Sequence, residues 1–173
     1  SPDNYPTQSL ADLYASQKEL CSLDGSHVAI VGRLEHGNVG ALLKGLALYD
    51  DVKVTLIPFS GQIDPAVSAY CESKGLQLEM VRDFDGLKNA DVVYLNGPRT
   101  VAHAQLLNTR SAFNRVIDES FMSRLKSNTI IMDPMQRSGD FTFHVTDNRI
   151  ATYRQAENAL FVRMAVLSTT LCR

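Results

Sequence analysis

The feature that most constrains the fold is an alternation of short apolar runs with helix-forming stretches. Short, nearly continuous apolar runs are typical of strands that are buried on both faces of a sheet. Strands that alternate with helices form a mostly parallel sheet, because each crossover helix packs back onto it. Five segments are predicted as strands: HVAIVG at 27–32, DVKVTLIPF at 51–59, LQLEMV at 76–81, DVVYLN at 91–96 and NTIIMDPM at 128–135.

The 173 residues are therefore expected to fold as one α/β domain over residues 1–173. The expected architecture is a Rossmann-like three-layer sandwich, with a mostly parallel sheet of about five strands and helices on both faces. Ligands of such folds bind at the carboxyl ends of the strands. Helices are predicted at 6–20, 39–49, 118–126 and 151–171, with a further one that begins at Pro65 and ends at Gly75.

Local details are predicted from residue type. Thr7 or Ser9 is expected to cap the first helix, and Pro58 is expected to end the second strand. Phe161 and Met164 are expected to pack in the core. Two stretches carry weak patterns: an exposed loop with a turn of helix is predicted at 99–114, and a loop or small hairpin at 136–149.

Composition argues against several kinds of partner. The net charge is −2, without a basic run, so nucleic acid is not an expected ligand. No apolar stretch approaches the roughly 20 residues of a membrane span. The three cysteines are far apart and lack zinc-ligand spacing, so no metal site is expected. We expect a cytoplasmic protein, with the reservation that a removed organellar transit peptide leaves no trace.

The glycine-rich stretch VGRLEHGNVG, at 31–40, follows the first predicted strand. It is not a nucleotide-binding P-loop, because Asn38 and Val39 stand where lysine and Ser/Thr are required. The dinucleotide fingerprint GxGxxG is absent as well, so no cofactor is expected. The helix N-terminus beyond the turn still favours an anion, but the residues themselves favour a plain strand-to-helix turn.

Three segments carry a more specific pattern: PTQSLADLYASQKELCSLDGSHVAIVG at 6–32, MDPMQR at 132–137 and YRQAENALFVRMAVL at 153–167. In order and spacing they resemble the second, amino-acid-binding domain of aspartate carbamoyltransferases, within the aspartate/ornithine carbamoyltransferase family. The corresponding family patterns are His-Pro-Thr-Gln with a Leu-x-Asp-Leu helix, His-Pro-[Leu/Met]-Pro-Arg, and Gln-Ala-x-Asn-Gly-x-x-x-Arg-Met-Ala-Leu. The family's first domain, which carries most carbamoyl-phosphate contacts, is not covered by this chain.

The resemblance implies a set of substrate-binding candidates. Gln8 matches the glutamine that helps to hold the carbamoyl group. Asp133 and Pro134 match the segment that orients the amine, where Asp133 replaces histidine, and Arg137 matches its arginine. Arg99 lies two residues beyond the position of a substrate arginine and could replace it by loop movement. In the last helix, the family residues Gln155, Asn158 and Arg163 are present.

Other positions depart from the family pattern. Tyr5 stands where the family has the histidine that polarises the carbamoyl group. The family turn Val-Gly-Asp-Leu-Lys-x-Gly-Arg places Glu35 at its lysine and Asn38 at the arginine that grips the substrate carboxylate. Gly97 stands at the first arginine of Thr-Arg-x-Gln-x-Glu-Arg. Asparagine cannot replace a charged, bidentate arginine clamp, and Glu35 is expected to repel a dicarboxylate.

Two functional hypotheses follow from the resemblance. The first is a carbamoyltransferase-like domain that has lost substrate ligands and acts as a non-catalytic structural or regulatory module. The second is the substrate-binding half of a carbamoyltransferase of pyrimidine or amino-acid metabolism, with aspartate or an altered amine as substrate. The expected partner is another carbamoyltransferase-like domain or subunit, or a second copy of the chain. The chain alone is expected to be inactive, because an interdomain site needs both of its walls.

Overall fold

A computed structural model of the protein contains a five-stranded parallel sheet with helices on both faces. The structure describes residues 5–97, 116–134 and 142–171. The strands of the main sheet are β1 (His27–Arg33), β2 (Lys53–Ser60), β3 (Gln77–Met80), β4 (Val92–Asn96) and β6 (Ile130–Met132), in the spatial order β3-β2-β1-β4-β6. The predicted fold class is confirmed.

Five α-helices are described: α1 (Pro6–Leu20), α2 (Gly37–Leu46), α3 (Pro65–Ser73), the single-turn α4 (Glu119–Met122) and α5 (Thr152–Leu171). A 3₁₀ turn covers Phe84–Leu87. The sheet separates two apolar clusters, one of which joins it to α1, α2 and α3, while the other joins it to the 3₁₀ turn and α4. Ile30 faces the first cluster, and its neighbours Ala29 and Val31 face the second. This alternation explains why the run is apolar throughout.

The direction of chain progression reverses between β1 and β4, which lie side by side. β2 and β3 are added on one side of β1, and β6 is added on the far side of β4. A reversal of this kind opens a crevice beyond the carboxyl ends of the two central strands. The fold therefore directs attention to the residues that follow β1 and β4.

Several local predictions were wrong. Pro58 lies inside β2 and does not end it, because β3 stops opposite Leu56 and leaves that edge of β2 unpaired beyond it. Neither Thr7 nor Ser9 caps α1, whose N-cap residue is Tyr5 and makes no side-chain cap. α2 covers 37–46 and not 39–49, since the glycine turn already belongs to its first turn.

A small second sheet was not predicted. Its strands are β5 (Val116–Ile117) and β7 (Thr142–Phe143), and they pair in parallel. The described part of 136–149 therefore does not pair as a hairpin, because a hairpin is antiparallel. The loop predicted at 99–114 lies outside the described residues.

α5 packs along α1 and leaves an apolar face uncovered. Phe161 and Met164, predicted to lie in the core, are 54% and 57% exposed. Phe161 lines an open apolar groove between the two helices, together with Leu10 and Tyr14 of α1. Within the described residues, no helix is long and apolar enough to cross a membrane.

Candidate functional site

The candidate site begins where β1 and β4 end. Gly32 has φ +128°, and a Cβ at this position would collide with the backbone carbonyl oxygen of Asn96. Glycine is required here because the two strand ends approach more closely than any side chain permits. The Asn96 side chain, 1% exposed, then donates from Nδ2 to the Arg33 carbonyl oxygen at 2.6 Å. The exits of the two strands are thus joined.

Asn38, in the first turn of α2, faces this junction and is 3% exposed. Its Nδ2 donates to Asn96 Oδ1 at 3.0 Å and to the Tyr94 hydroxyl at 3.3 Å. Its Oδ1 lies in hydrogen-bond contact with His36 Nδ1. An amide has two N–H groups, so both donors of the Asn38 side chain are used within the chain.

One early backbone amide of α2 also has an internal partner. The Val39 N–H donates to the His36 carbonyl oxygen at 2.9 Å, whereas the Asn38 N–H, 3.4 Å from His36 Nδ1, competes for that nitrogen with the contact to Asn38 Oδ1. Tyr5 stacks on the His36 ring, with centroids 5.2 Å apart. The turn thereby caps its own helix, which leaves fewer N–H groups for an anion than an open helix N-terminus offers.

The charges in the turn form a pair. Arg33 Nε donates to Glu35 Oε1 at 2.9 Å. In the family pattern these two positions are aspartate and lysine, so both charges are reversed and an opposite-charge pair is retained. Arg33 compensates the Glu35 charge in the ligand-free chain, and the repulsion of a dicarboxylate by Glu35 stays a prediction.

A buried carboxylate, Asp12 of α1, lies behind the turn and is 1% exposed. Its Oδ2 accepts from the Tyr94 hydroxyl at 2.8 Å, and its Oδ1 accepts from Gln155 Nε2 at 2.7 Å and from Gln8 Nε2 at 2.8 Å. Burial raises the pKa of Asp12 from 3.8 to about 6, although these three hydrogen bonds and the charge of Arg163 oppose the shift. Burial, followed by the neighbouring Asp12 charge, raises the pKa of Tyr94, so its phenol stays protonated.

The same cluster reaches the end of β6. Gln155, at 2% exposure, accepts the backbone N–H of Asp133 on Oε1 at 2.9 Å. Asp133 is 2% exposed and is followed by the half-buried Pro134. A single chain of hydrogen bonds therefore runs from the turn after β1, through Tyr94, Asp12 and Gln155, to the segment after β6.

The structure brings most of the predicted site residues to the carboxyl end of the sheet. Tyr5 and Asn38 lie at the turn, the buried Gly97 follows Asn96, and Asp133 follows β6. Gln8 does not point into an open crevice: its Nε2 donates to Asp12, and its Oε1 accepts from Arg163 at 3.0 Å. Arg99 and Arg137 lie outside the described residues.

Three residues of the site were not assigned a role from the sequence: Asp12, Tyr94 and Asn96. Asp12 is the aspartate of the Leu-x-Asp-Leu motif at 10–13, and Tyr94 and Asn96 are polar residues at the end of a buried strand. The described chain contains no group of three or more His, Cys, Asp or Glu side chains that could hold a metal ion.

Comparison with known protein families gives a match over most of the chain. The family model described as aspartate/ornithine carbamoyltransferase, Asp/Orn binding domain, matches residues 24–170. The chain belongs to this family. The match covers most of the chain, and the resemblance inferred from the sequence is confirmed.

Individual carbamoyltransferases align along nearly the whole chain. The chloroplastic aspartate carbamoyltransferase of Arabidopsis thaliana is 34% identical over 176 residues, which cover 98% of this chain and 45% of that protein. The multifunctional protein CAD of Squalus acanthias is 30% identical over 174 residues, which cover 96% of this chain and 8% of that protein. The chain thus spans about half the length of the Arabidopsis relative and a small part of CAD.

The fold also matches solved carbamoyltransferase structures. Aspartate transcarbamoylase from Trypanosoma cruzi in complex with phosphate superimposes with a TM-score of 0.82 at 27% identity, over 95% of this chain and 57% of that one. The same enzyme in complex with carbamoyl phosphate and aspartate gives a TM-score of 0.81 at 29% identity, over 95% and 54% of the two chains. The carbamoyltransferase fold is therefore shared, and the site must be judged from its own residues.

Proposed function

We propose that the chain is the acceptor-binding half of a carbamoyltransferase whose acceptor amine is not aspartate. The family match supports the transferase half. One observation supports the altered acceptor: Asn38, at the position of the family's carboxylate-gripping arginine, is neutral, buried and bonded to Asn96 and Tyr94. A carboxylate bound here would lose a charge-assisted, bidentate partner, which typically costs about 2–5 kcal/mol.

The apolar groove between α1 and α5 supports a second half. Large apolar side chains are uncovered along the outer part of α5: Leu160, Phe161, Met164, Leu167 and Leu171 are each more than half exposed. Exposed apolar surface on this scale is typical of an interface. We assign it to another carbamoyltransferase-like domain or subunit that supplies the carbamoyl-phosphate wall, so the chain alone should not turn over.

A non-catalytic module is the second candidate, and the self-capped turn favours it. Asn38 spends both of its side-chain donors inside the chain, and the Val39 N–H has an internal partner too. A turn arranged in this way is stable without a ligand, as a structural or regulatory domain requires. The two candidates differ in whether any amine binds.

Calorimetry separates these candidates. L-aspartate, L-ornithine and N-carbamoyl-L-aspartate are titrated into the chain, with the complete Trypanosoma cruzi enzyme as the positive control. We expect the control to bind aspartate and the chain to bind ornithine without binding aspartate up to millimolar concentration. Aspartate binding as tight as in the control would refute the altered acceptor. Binding by the control alone would favour the non-catalytic module.

A back-substituted variant sharpens the assignment. Asn38→Arg together with Asn96→Thr and Gly97→Arg restores the family residues at three positions of the turn and the β4 end. We expect this variant to gain aspartate binding, because the restored guanidinium groups pair with carboxylates. The single change Asn96→Thr serves as the control, since it frees the Asn38 amide but adds no charge.

The cellular location is also a proposal. The expected location is the cytoplasm, and the alternative is an organelle, because the Arabidopsis relative is named as a chloroplastic protein. Organelle fractionation distinguishes the two locations.

A further inference from the structure

One carboxylate is connected to both sides of the candidate site. We call residues 36–38 the turn wall, and Asp133 with Pro134 the β6 wall. Asp12 reaches the turn wall through the Tyr94 hydroxyl, which donates to Asp12 Oδ2 at 2.8 Å and accepts from Asn38 Nδ2 at 3.3 Å. It reaches the β6 wall through Gln155, which donates to Asp12 Oδ1 at 2.7 Å and accepts from the Asp133 backbone at 2.9 Å.

We propose that Asp12 is a positioning residue that sets both walls of the acceptor site, through Tyr94 on one side and Gln155 on the other. The proposal deepens the proposed function and rests on it, because the crevice is an acceptor site only if the chain binds an acceptor amine. Asp12 itself is on α1, 1% exposed, and does not touch the crevice. Its effect on a substrate is therefore indirect.

The direction of each hydrogen bond makes the carboxylate necessary. Tyr94 and Gln155 both donate to Asp12, and each then presents an oxygen to a wall: the hydroxyl to Asn38 and the amide oxygen to Asp133. A group that accepts from both at once orients both oxygens. Gln8 donates a third hydrogen bond to Asp12, and its Oε1 accepts from Arg163. Asp12 is thereby connected to the middle of α5.

The physical cost of the arrangement supports a positioning role. A buried carboxylate whose hydrogen-bond partners among the described residues are all neutral is expensive, and burial shifts the pKa of Asp12 to about 6. An apolar residue could fill the space between α1, β4 and α5 at lower cost. What an apolar residue cannot do is fix the rotation of the Tyr94 hydroxyl and the Gln155 amide.

Hydrogen exchange measured by NMR on the ligand-free chain tests the proposal. The readouts are the Asn38 side-chain amide for the turn wall and the Asp133 backbone amide for the β6 wall. Tyr94→Phe is expected to lower protection roughly tenfold at Asn38 only, and Gln155→Met to do so at Asp133 only. Asp12→Ala is expected to lower both. Thr129→Val is the matched control, because it removes a buried side-chain hydrogen bond, to the Ala90 carbonyl oxygen at 2.7 Å, at the amino end of β4 and β6.

Asp12→Asn keeps the test decisive if Asp12→Ala does not fold. The new amide can still accept from Gln155 through Oδ1, but its Nδ2 faces the Tyr94 oxygen and stops that hydroxyl from donating. We expect loss of protection at Asn38 and normal protection at Asp133. Unchanged protection at Asn38 in Asp12→Asn, or equal losses at both walls in Thr129→Val, would overturn the proposal. Because no ligand is present, these outcomes are independent of whether an amine binds.

Discussion

The carboxylates at the two ends of the parallel sheet differ in exposure and in the charge of their partners. At the amino end, Asp91 accepts the His27 backbone N–H at 2.9 Å and pairs with Lys126 at 2.7 Å, where side-chain exposures of 22% and 35% leave both groups in contact with water. At the carboxyl end, Asp12 is 1% exposed, and among the described residues its carboxylate accepts from the neutral groups of Tyr94, Gln155 and Gln8.

This difference indicates that the amino-end ion pair supports the structure, whereas the buried carboxylate at the carboxyl end organises the candidate site. A half-exposed ion pair ties β1, β4 and the segment before β6 together at little cost and with little net stabilisation. A buried carboxylate among neutral donors is energetically costly. We therefore expect its geometry to serve the candidate site. The amino end can therefore be altered with small effects, whereas changes at the carboxyl end should alter stability, pH response and the candidate site together.

Alanine substitutions at two glycines should show the largest contrast. Gly32→Ala places a Cβ against the Asn96 carbonyl oxygen at φ +128°, so we expect a loss of at least about 4 kcal/mol in the free energy of unfolding. Gly25→Ala, at the amino end, has φ +73° but nothing within 4 Å, so we expect about 1 kcal/mol from backbone strain alone. Urea denaturation of both variants measures the difference, and equal losses would contradict the close approach of β1 and β4.

The pH dependence of stability should show the next largest effect. Because the pKa of Asp12 is raised from 3.8 to about 6, the native state binds its proton more tightly than the unfolded state. Its stabilising contribution is complete below pH 3.8 and is lost as the pH rises to about 6, which amounts to roughly 3 kcal/mol. The stability difference between the protein and Asp12→Asn should change across this window and stay constant above it.

Asp147 provides the opposite sign as a control. Hydrogen bonds from Arg149 lower the pKa of Asp147, so its contribution is present at neutral pH and is lost on acidification. Asp147→Asn should therefore remove a stabilisation at neutral pH.

The Asp12 prediction is contradicted by a stability difference between the protein and Asp12→Asn that stays flat between pH 4 and pH 6. Such a result would show that Asp12 is not the buried, weakly acidic group described here.

Removing one hydrogen-bonding group from each end should give the smallest contrast. Tyr94→Phe leaves Asp12 and Asn38 without a shared hydroxyl in a buried setting, and we expect a loss of about 2 kcal/mol. Lys126→Met removes only the partly exposed partner of Asp91, and we expect less than about 1 kcal/mol, smaller still at high salt. Denaturation at low and high salt measures both, and a larger effect for Lys126→Met would reverse the comparison.

The sequence predicted the layers of the fold because apolar periodicity is a local signal. β1, β3 and β4 lie where their apolar runs predicted them, and α1 lies at 6–20 as predicted. Details that depend on neighbours were less accessible. Pro58 is tolerated within β2 only because β3 is short, and Phe161 is exposed because it lies on the face of α5 that borders the open groove with α1.

Part of the candidate site was accessible from the sequence in the same way. Family resemblance predicted the positions of Tyr5, Asn38 and Asp133, because these positions belong to short motifs. It did not predict that Glu35 is neutralised by Arg33, nor that the Asn38 amide is bonded to Asn96. Both depend on side chains that meet only after the chain turns.

What the sequence alone determined is the alternating architecture, the family, and the residue types at the ends of the strands. The tertiary structure decided how those residues are joined. Asp12 and Gln155 are 143 residues apart in the chain, and Tyr94 is 82 residues from Asp12. Periodicity and motifs carry information about neighbours in the chain, whereas a hydrogen bond between α1, β4 and α5 exists only once the sheet has brought those elements together.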